Sequence, residues 1–276
     1  SSIVWIFNTQ GINIISNIFF GVVVNAARGV ATQVEGIVKG FVVNFTTAVR
    51  PQIIKSYSAG DKTYLFKLLC SSTKYSYFLM LIFFVPFLFE AEVILRLWLK
   101  KYPDYAPLFL RLTLVSTLVG LLGDLLFTNI LAVGKLKLYM IWETIITGLV
   151  FPATYLFFYL GYSPAFPYVF YASAYMILII VRLFFLKREE QFPVKKFWLD
   201  VLKPVLLVTV LACVVPYIFK FLIFKSDDIL YSIADIFICG ISVLVSIYFA
   251  GTNTEEKIFI KNKLQFTAVP FRNRRG

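Results

Sequence analysis

VNAARGVATQVEGIVKGFVVNFTTAVRPQIIKSYSAGD, residues Val24 to Asp61, decides how the chain must be read. Its first two-thirds have the composition of a membrane-crossing helix, yet Arg28, Glu35, Lys39 and Arg50 interrupt it. At about 100° per residue, Thr32 lies about 40° from Arg28, Glu35 about −20°, Lys39 about 20°, Thr46 about 0° and Arg50 about 40°. These side chains share a stripe roughly 60° wide, and Val30, Val34, Ile37, Phe41 and Phe45 lie away from it. A charge at bilayer depth costs at least ~2.5–3.5 kcal/mol, so the stripe must face a bundle interior or a wet cavity. Glu35 and Lys39, at i and i+4, partly neutralise each other. Two readings follow: a buried ion pair that only fixes helix packing, or a hydrophilic path. The stripe runs the length of the helix, which favours the path.

The rest of the chain has the composition of a membrane protein. Its 276 residues are 59% hydrophobic and 18% aromatic, with 15% charged where a soluble domain carries about 25%. Mean hydropathy is +0.81. The net charge of +12 would suggest nucleic acid in a soluble protein. Here the basic residues sit between apolar spans, where they read as topology signals and contacts to membrane lipids. Cys70, Cys213 and Cys239 are scattered without metal-like or redox-like spacing. Histidine is absent, which removes histidine metal sites, histidine bases and Ser–His catalysis. The chain shows no secretory signal-peptide pattern and opens Ser1-Ser2-Ile3-Val4-Trp5, within a span, so a longer polypeptide is expected.

An all-α polytopic bundle of about eight helices is therefore expected, each span needing ~20 apolar residues. Helix 1, about Ile3–Phe20, is unusually polar, with Gln10, Asn13 and Asn17 at spacings that bring them toward one side. Those amides serve either as glue to other helices or as substrate contacts. Helix 2 is expected to start with Asn25 as N-cap and to end near Arg50-Pro51, with Ile53–Ser58 as a continuation after a kink. Asp61 then caps a short amphipathic lead-in, Lys62–Lys74, before helix 3 at Tyr75–Phe89, kinked by Pro86, and a charged interfacial segment from Glu90 to Asp104. Helix 4, Pro107–Ala132, carries Asp124, either a proton-linked acid or the partner of a lysine or arginine elsewhere. Helix 5 spans Leu138–Leu160, with Glu143 near one end and a kink at Pro152. Helix 6 covers Ala165–Leu186, and its Arg182 is placed to snorkel. The Lys187–Lys196 charge run reads as a solvated face. Helices 7 and 8, about Pro204–Phe224 and Ile229–Ala250, are followed by a basic tail, 252–276. With this threading the large majority of Lys and Arg fall on one side, so both termini are expected in the cytoplasm.

Several segments resemble one family. They are Asn25-Ala26-Ala27-Arg28-Gly29 with Gln33, Asn44-Phe45 and Arg50-Pro51-Gln52-Ile53, then Lys55-Ser56-Tyr57-Ser58-Ala59-Gly60-Asp61. Asn8, Gln10-Gly11-Ile12-Asn13, Ile94-Leu95-Arg96-Leu97-Trp98-Leu99 and Ala132-Val133-Gly134-Lys135 fit as well. Together they resemble bacterial polysaccharide (O-antigen-type) flippases of the multidrug/oligosaccharidyl-lipid/polysaccharide exporter superfamily. The resemblance spans most of the chain, is dense over residues 8–61 and weakens in the last two helices. It implies two six-helix lobes around a cavity, of which residues 1–190 would be the second and 191–251 two additional helices, the first lobe being the missing partner.

By that resemblance the protein would flip a lipid-linked oligosaccharide across a bacterial inner (plasma) membrane by alternating access, without cofactor or metal. The substrate pathway would comprise Arg28, Glu35, Lys39, Asn13, Asn17, Gln10, Thr46 and Arg50. Asp124 and Glu143 would be coupling or structural acids. A cation-coupled small-molecule exporter and an inactive fragment are the alternatives. An embedded glycosyl- or acyltransferase is disfavoured, because histidine is absent and Asp227-Asp228 reads as a turn or cap.

Overall fold

The structure is a computed structural model that describes residues 2–220, 229–253 and 256–258. It is an all-α bundle, with no strand among the described residues. The helical stretch Ile3–Ser58 is interrupted at Gly21 (φ 80°, ψ −178°) into α1 (residues 3–20) and α2 (residues 22–58). There follow α3 (Lys62–Leu99), α4 (Ala106–Val133), α5 (Leu136–Tyr159), α6 (Phe166–Glu190), α7 (Val194–Ile218) and α8 (Ile229–Gly251). With Ile3–Ser58 taken as one stretch, seven helices among the described residues are long and apolar enough to cross a membrane. The chain is a multi-pass membrane protein.

Whether Gly21 bends the chain or folds it back is decided by side-chain contacts. Asn13 and Arg28 are 15 residues apart, about 22 Å along a straight helix. Yet the Arg28 guanidinium donates to Asn13 Oδ1 at 3.2 Å. Neighbouring helices agree. Asn8 bonds Thr147 and Phe20 packs on Phe158, so α1 runs parallel to α5. Glu35 meets Thr117 and Arg50 meets Asp124, so α2 is parallel to α4. Ser116 bonds Tyr168 and Asn129 bonds Glu190, so α4 is parallel to α6. Glu143 pairs with Arg182 while Phe157 packs on Phe166, so α5 and α6 are antiparallel. It follows that α1 and α2 are antiparallel: a hairpin, not a rod. Its turn uses a backbone conformation that only glycine adopts at low cost.

Several boundaries differ from the sequence expectation. Asn25 caps nothing, because α2 starts immediately after Gly21. Pro51 does not end α2; the helix runs through it to Ser58. The donor it lacks would have bonded Thr47, which is exposed, so the orphan carbonyl is free to reach other partners. Lys62–Lys74 is not a separate interfacial helix but the first third of α3, started by Asp61, whose carboxylate accepts from Tyr64 N at 3.0 Å. Residues 90–99, expected as an interfacial segment, belong to the same helix. The backbone irregularity in α3 falls at Glu90 (φ −120°, ψ 27°), four residues beyond Pro86. Lys220 reaches into it and donates to Phe89 O and, at 2.6 Å, to Glu90 Oε1. The expected break in α5 is seen at Leu149, within one turn of Pro152. α7 starts ten residues before Pro204, and a wide π turn at Trp198–Leu202 leads into that proline. The end of helix 7 beyond Lys220, Asp227-Asp228 and most of the basic tail lie outside the described residues.

The buried core runs through α2, α3, α4, α6, α7 and α8. On α2 it is a narrow seam, Val24, Ala27, Ala31, Val34, Val38 and Val42, all at or below 6% exposure and recurring every three or four residues. These small side chains let α2 lie close along α4. α7 and α8 pack on each other and on α3. Gly251 is required at their end: a Cβ there would lie 2.7 Å from the Phe78 ring.

Replacing Gly21 with alanine forces a side chain into the hairpin conformation. The expected cost is about 1–3 kcal/mol, read as a lower unfolding midpoint in mixed detergent micelles. An unchanged midpoint would show that the hairpin does not depend on this glycine.

Candidate functional site

The charged residues of α2 lie beside its buried seam rather than within it. Arg28, near the Gly21 turn, is 8% exposed. Its guanidinium bonds Asn13 and stands 5.5 Å from the centroid of the Tyr168 ring on α6, a cation–π contact. Its Nη1 is buried with no hydrogen-bond partner. Two turns on, Glu35 accepts from Thr117 Oγ1 of α4 at 3.0 Å and pairs with Lys39 at 3.3 Å. The Glu35–Lys39 pair anticipated from the i, i+4 spacing therefore exists, and Thr117 anchors its acid to a second helix. Lys39 keeps 46% of its side chain exposed while Glu35 keeps 16%. The anchored acid holds the lysine at the edge of the bundle.

Near the far end of α2, Arg50 Nη2 donates to both oxygens of Asp124, at 3.2 and 3.0 Å. Asp124 thus has a distant arginine, on α2, as its partner. Glu143 is also committed. It pairs with Arg182 at 3.2 Å and accepts from Tyr139 OH at 3.0 Å, and the Arg182 Nε donates to the same phenol oxygen at 2.8 Å. Arg182 does not snorkel as expected. It is 8% exposed, because a carboxylate and two aromatic faces, Phe127 and Tyr139, receive it inside the bundle. Gly123 makes the room; a Cβ there would lie 2.5 Å from Arg182 Nη1.

The remaining pathway candidates separate. Thr46 is 1% exposed and returns its hydroxyl to Val43 O, a packing position in the seam. Asn13 is half-buried and holds Arg28, whereas Gln10 and Asn17 are exposed. The glue of α1 is Asn8: its side-chain amide donates to Thr147 O at 2.8 Å, and its backbone carbonyl accepts from Tyr171 OH. Glu190, at the edge of the supposedly solvated charge run, is 4% exposed and bonded by Asn129 Nδ2 at 2.9 Å. Sequence reading also missed Lys74, 1% exposed and paired with Glu256 at 2.8 Å. Its spacing from Lys67 on one helix face was the available signal.

Beyond the polar edge, α2 turns an unusual face outward. Thr32, Gln33, Asn44 and Thr47 are exposed. Gly29, Gly36 and Gly40 would meet nothing within 4 Å if given a Cβ. Measured from Arg28, the glycines lie roughly 80–120° around the helix. Ile37 and Phe41, further round, are 58% and 54% exposed and present ordinary apolar surface. The α2 surface thus carries a strip of small and polar residues, edged by Lys39 and Arg50, next to a strip suited to lipid. Amides and hydroxyls in contact with acyl chains are costly, so the polar strip suits water or another protein surface. No group of three or more metal-binding side chains occurs among the described residues.

No protein-family model, curated protein or solved structure matches this chain.

Glu143→Gln breaks a buried pair and leaves Arg182 uncompensated, so a loss of about 3–5 kcal/mol is expected in detergent unfolding. Glu143→Gln with Arg182→Met should recover most of it. Lys39→Gln, at a half-exposed edge, should cost less than about 1 kcal/mol. Equal losses for Lys39 and Glu143 variants would refute this division into structural and edge charges.

Proposed function

We propose that this bundle is one lobe of a transporter that carries a lipid-linked oligosaccharide across the bacterial inner membrane for cell-surface polysaccharide synthesis. The observation that carries the reading is the open polar strip of α2, edged by half-exposed cations, on a helix that otherwise crosses hydrocarbon. In this reading the strip faces a water-filled path completed by a second lobe. Arg28, Lys39 and Arg50 give the path its positive character, suited to the diphosphate of the lipid carrier or to acidic sugars. Gln10, Asn13 and Asn17 of α1 supply amides for sugar hydroxyls. A wet cationic path lowers the barrier for a charged head group, and no bond in the substrate has to be made or broken.

Two further features support it over an ion-coupled exporter of small molecules. That reading relies on acids in the cavity, and Asp124 and Glu143 are each held by an arginine from another helix. The remaining stripe acid, Glu35, is tied to Thr117 and Lys39. Movement would come from rocking one lobe against the other, with the basic end of the bundle toward the cytoplasm. At that end Lys62 reaches Glu190 O and Lys135 pairs with Glu189.

Complementation of a bacterium lacking its surface-polysaccharide flippase tests the proposal. The chain should be expressed alone and joined to a first lobe from a flippase, each as wild type and as Lys39→Ala. Rescue by the joined form, lost at least tenfold on Lys39→Ala with unchanged membrane levels, is the expected result. Rescue indifferent to Lys39 would remove the cationic path, and no rescue by any well-expressed form would remove the flippase reading.

A further inference from the structure

Asp235, near the start of α8, is 2% exposed, and neither of its carboxylate oxygens meets a hydrogen-bond donor. An ionised carboxylate in that position is an uncompensated charge inside the bundle, a costly arrangement. What it meets is a second acid. α8 packs on α3, and the Asp235 carboxyl comes within hydrogen-bonding reach of Glu90, itself 3% exposed. The cation at this point is Lys220, which is already committed to α3: it donates to Phe89 O and, at 2.6 Å, to Glu90 Oε1. Cys239, one turn further along α8 and fully buried, and Cys213 of α7 are the nearby thiols. Arg111 of α4 is taken by Glu92. None of these groups donates to Asp235.

Two carboxylates and one ammonium leave one negative charge over. Two acceptors that face each other are also one hydrogen short of a bond. A single proton meets both deficits: it brings the cluster to neutrality and supplies the hydrogen between the two acids. We propose that Glu90 and Asp235 form a buried proton-binding site, in which one shared proton latches α8 onto the joint of α3. The proton belongs to the pair rather than to either residue. From Lys62 to Glu90 the helix rises about 42 Å, so the site lies near the membrane face opposite Lys62. Lys220, with 32% of its side chain exposed, connects it to that face. Loss of the proton sets two like charges against each other and favours separation of α8 from α3. The site lies away from the polar strip of α2, and the inference does not rest on the transport reading.

Infrared spectroscopy of the full chain in a maltoside detergent, which carries no carbonyl of its own, tests the site. At about pH 7 solvent-exposed carboxyls are ionised, so a carboxylic-acid carbonyl band marks a buried protonated group. The wild type should show this band, and Asp235→Asn and Glu90→Gln should each lose the intensity of one carboxyl. Lys220→Met, which removes the cation and leaves both acids, should keep or raise it. Asp235→Asn puts a neutral donor where the protonated acid stands, so its melting temperature should stay within about 2 °C of wild type. Asp235→Ala, which removes the bond, should melt lower. A band that Glu90→Gln leaves intact would show an acid protonated alone and overturn the shared site. An Asp235→Asn variant that melts as low as Asp235→Ala would show that the charge of Asp235 is needed, and would overturn it too. Loss of the band when sodium replaces N-methylglucamine in the buffer would make the occupant a metal ion and overturn the proton assignment.

Discussion

A charge inside hydrocarbon must find an opposite charge or water, and this constraint orders the bundle. Arg50–Asp124 joins α2 to α4, Arg111–Glu92 joins α4 to α3, and Arg182–Glu143 joins α6 to α5. Lys220–Glu90 ties the residues just past α7 to α3, and Lys74–Glu256 ties α3 to the segment after α8. Apolar packing discriminates poorly between helix partners in a membrane, since lipid competes on nearly equal terms. Each ionic link has only one geometry that leaves no charge stranded, so the links select neighbours and register. The bidentate Arg111–Glu92 pair, at 2.9 and 2.6 Å with a further bond to Leu88 O, shows this selection most clearly.

The same pairing divides structural charge from functional charge. Acids are scarcer than bases in this chain, and Asp124, Glu143, Glu90 and Glu92 hold helices together. What stays half-exposed at mid-membrane on α2 is mainly Lys39, beside glycines, amides and hydroxyls. The positive tone of that strip is a consequence of where the acids went, as much as of where the bases are.

Much of the fold was legible in the sequence. Apolar runs of span length separated by Gly-Asp, Gly-Lys and Gly-Tyr turns mark the helices, and Gly60, Gly134 and Gly161 all adopt positive φ there. The connection between α1 and α2 was expected as a short link from Gly21 to Asn25, and the structure narrows it to Gly21 alone. Boundaries governed by proline were misplaced, the end of α2 too early and the start of α7 too late, because a single proline does not interrupt a helix whose flanks are well packed; Pro51 lies inside α2 and Pro204 follows a π turn. The site was legible as a one-dimensional pattern: the angular stripe and the Glu35–Lys39 pair follow from helical period. Long-range partners do not. Nothing in the sequence distinguishes Arg50 from Lys62 as the partner of Asp124, or shows that Arg182 turns inward to Glu143. Those choices depend on helix contacts such as the gap at Gly123, which periodicity does not encode.

α3 contacts both α2 with α4 and α7 with α8, and its 38 residues make a rod of about 57 Å, nearly twice the thickness of the hydrocarbon layer. The rod is jointed at Glu90, where the ladder of backbone bonds gives way and Lys220, just past the end of α7, fills the gap. The helix therefore acts as a mast with its hinge near one membrane face. The long lower shaft carries the load-sharing contacts, and the short upper piece takes its direction from the ammonium wedged beneath it. The shaft packs against both flanking groups, and the upper piece is clamped from two sides, by Arg111 of α4 on Glu92 and by Lys220 at the joint. The joint is braced by charge at the point where the backbone ladder is interrupted.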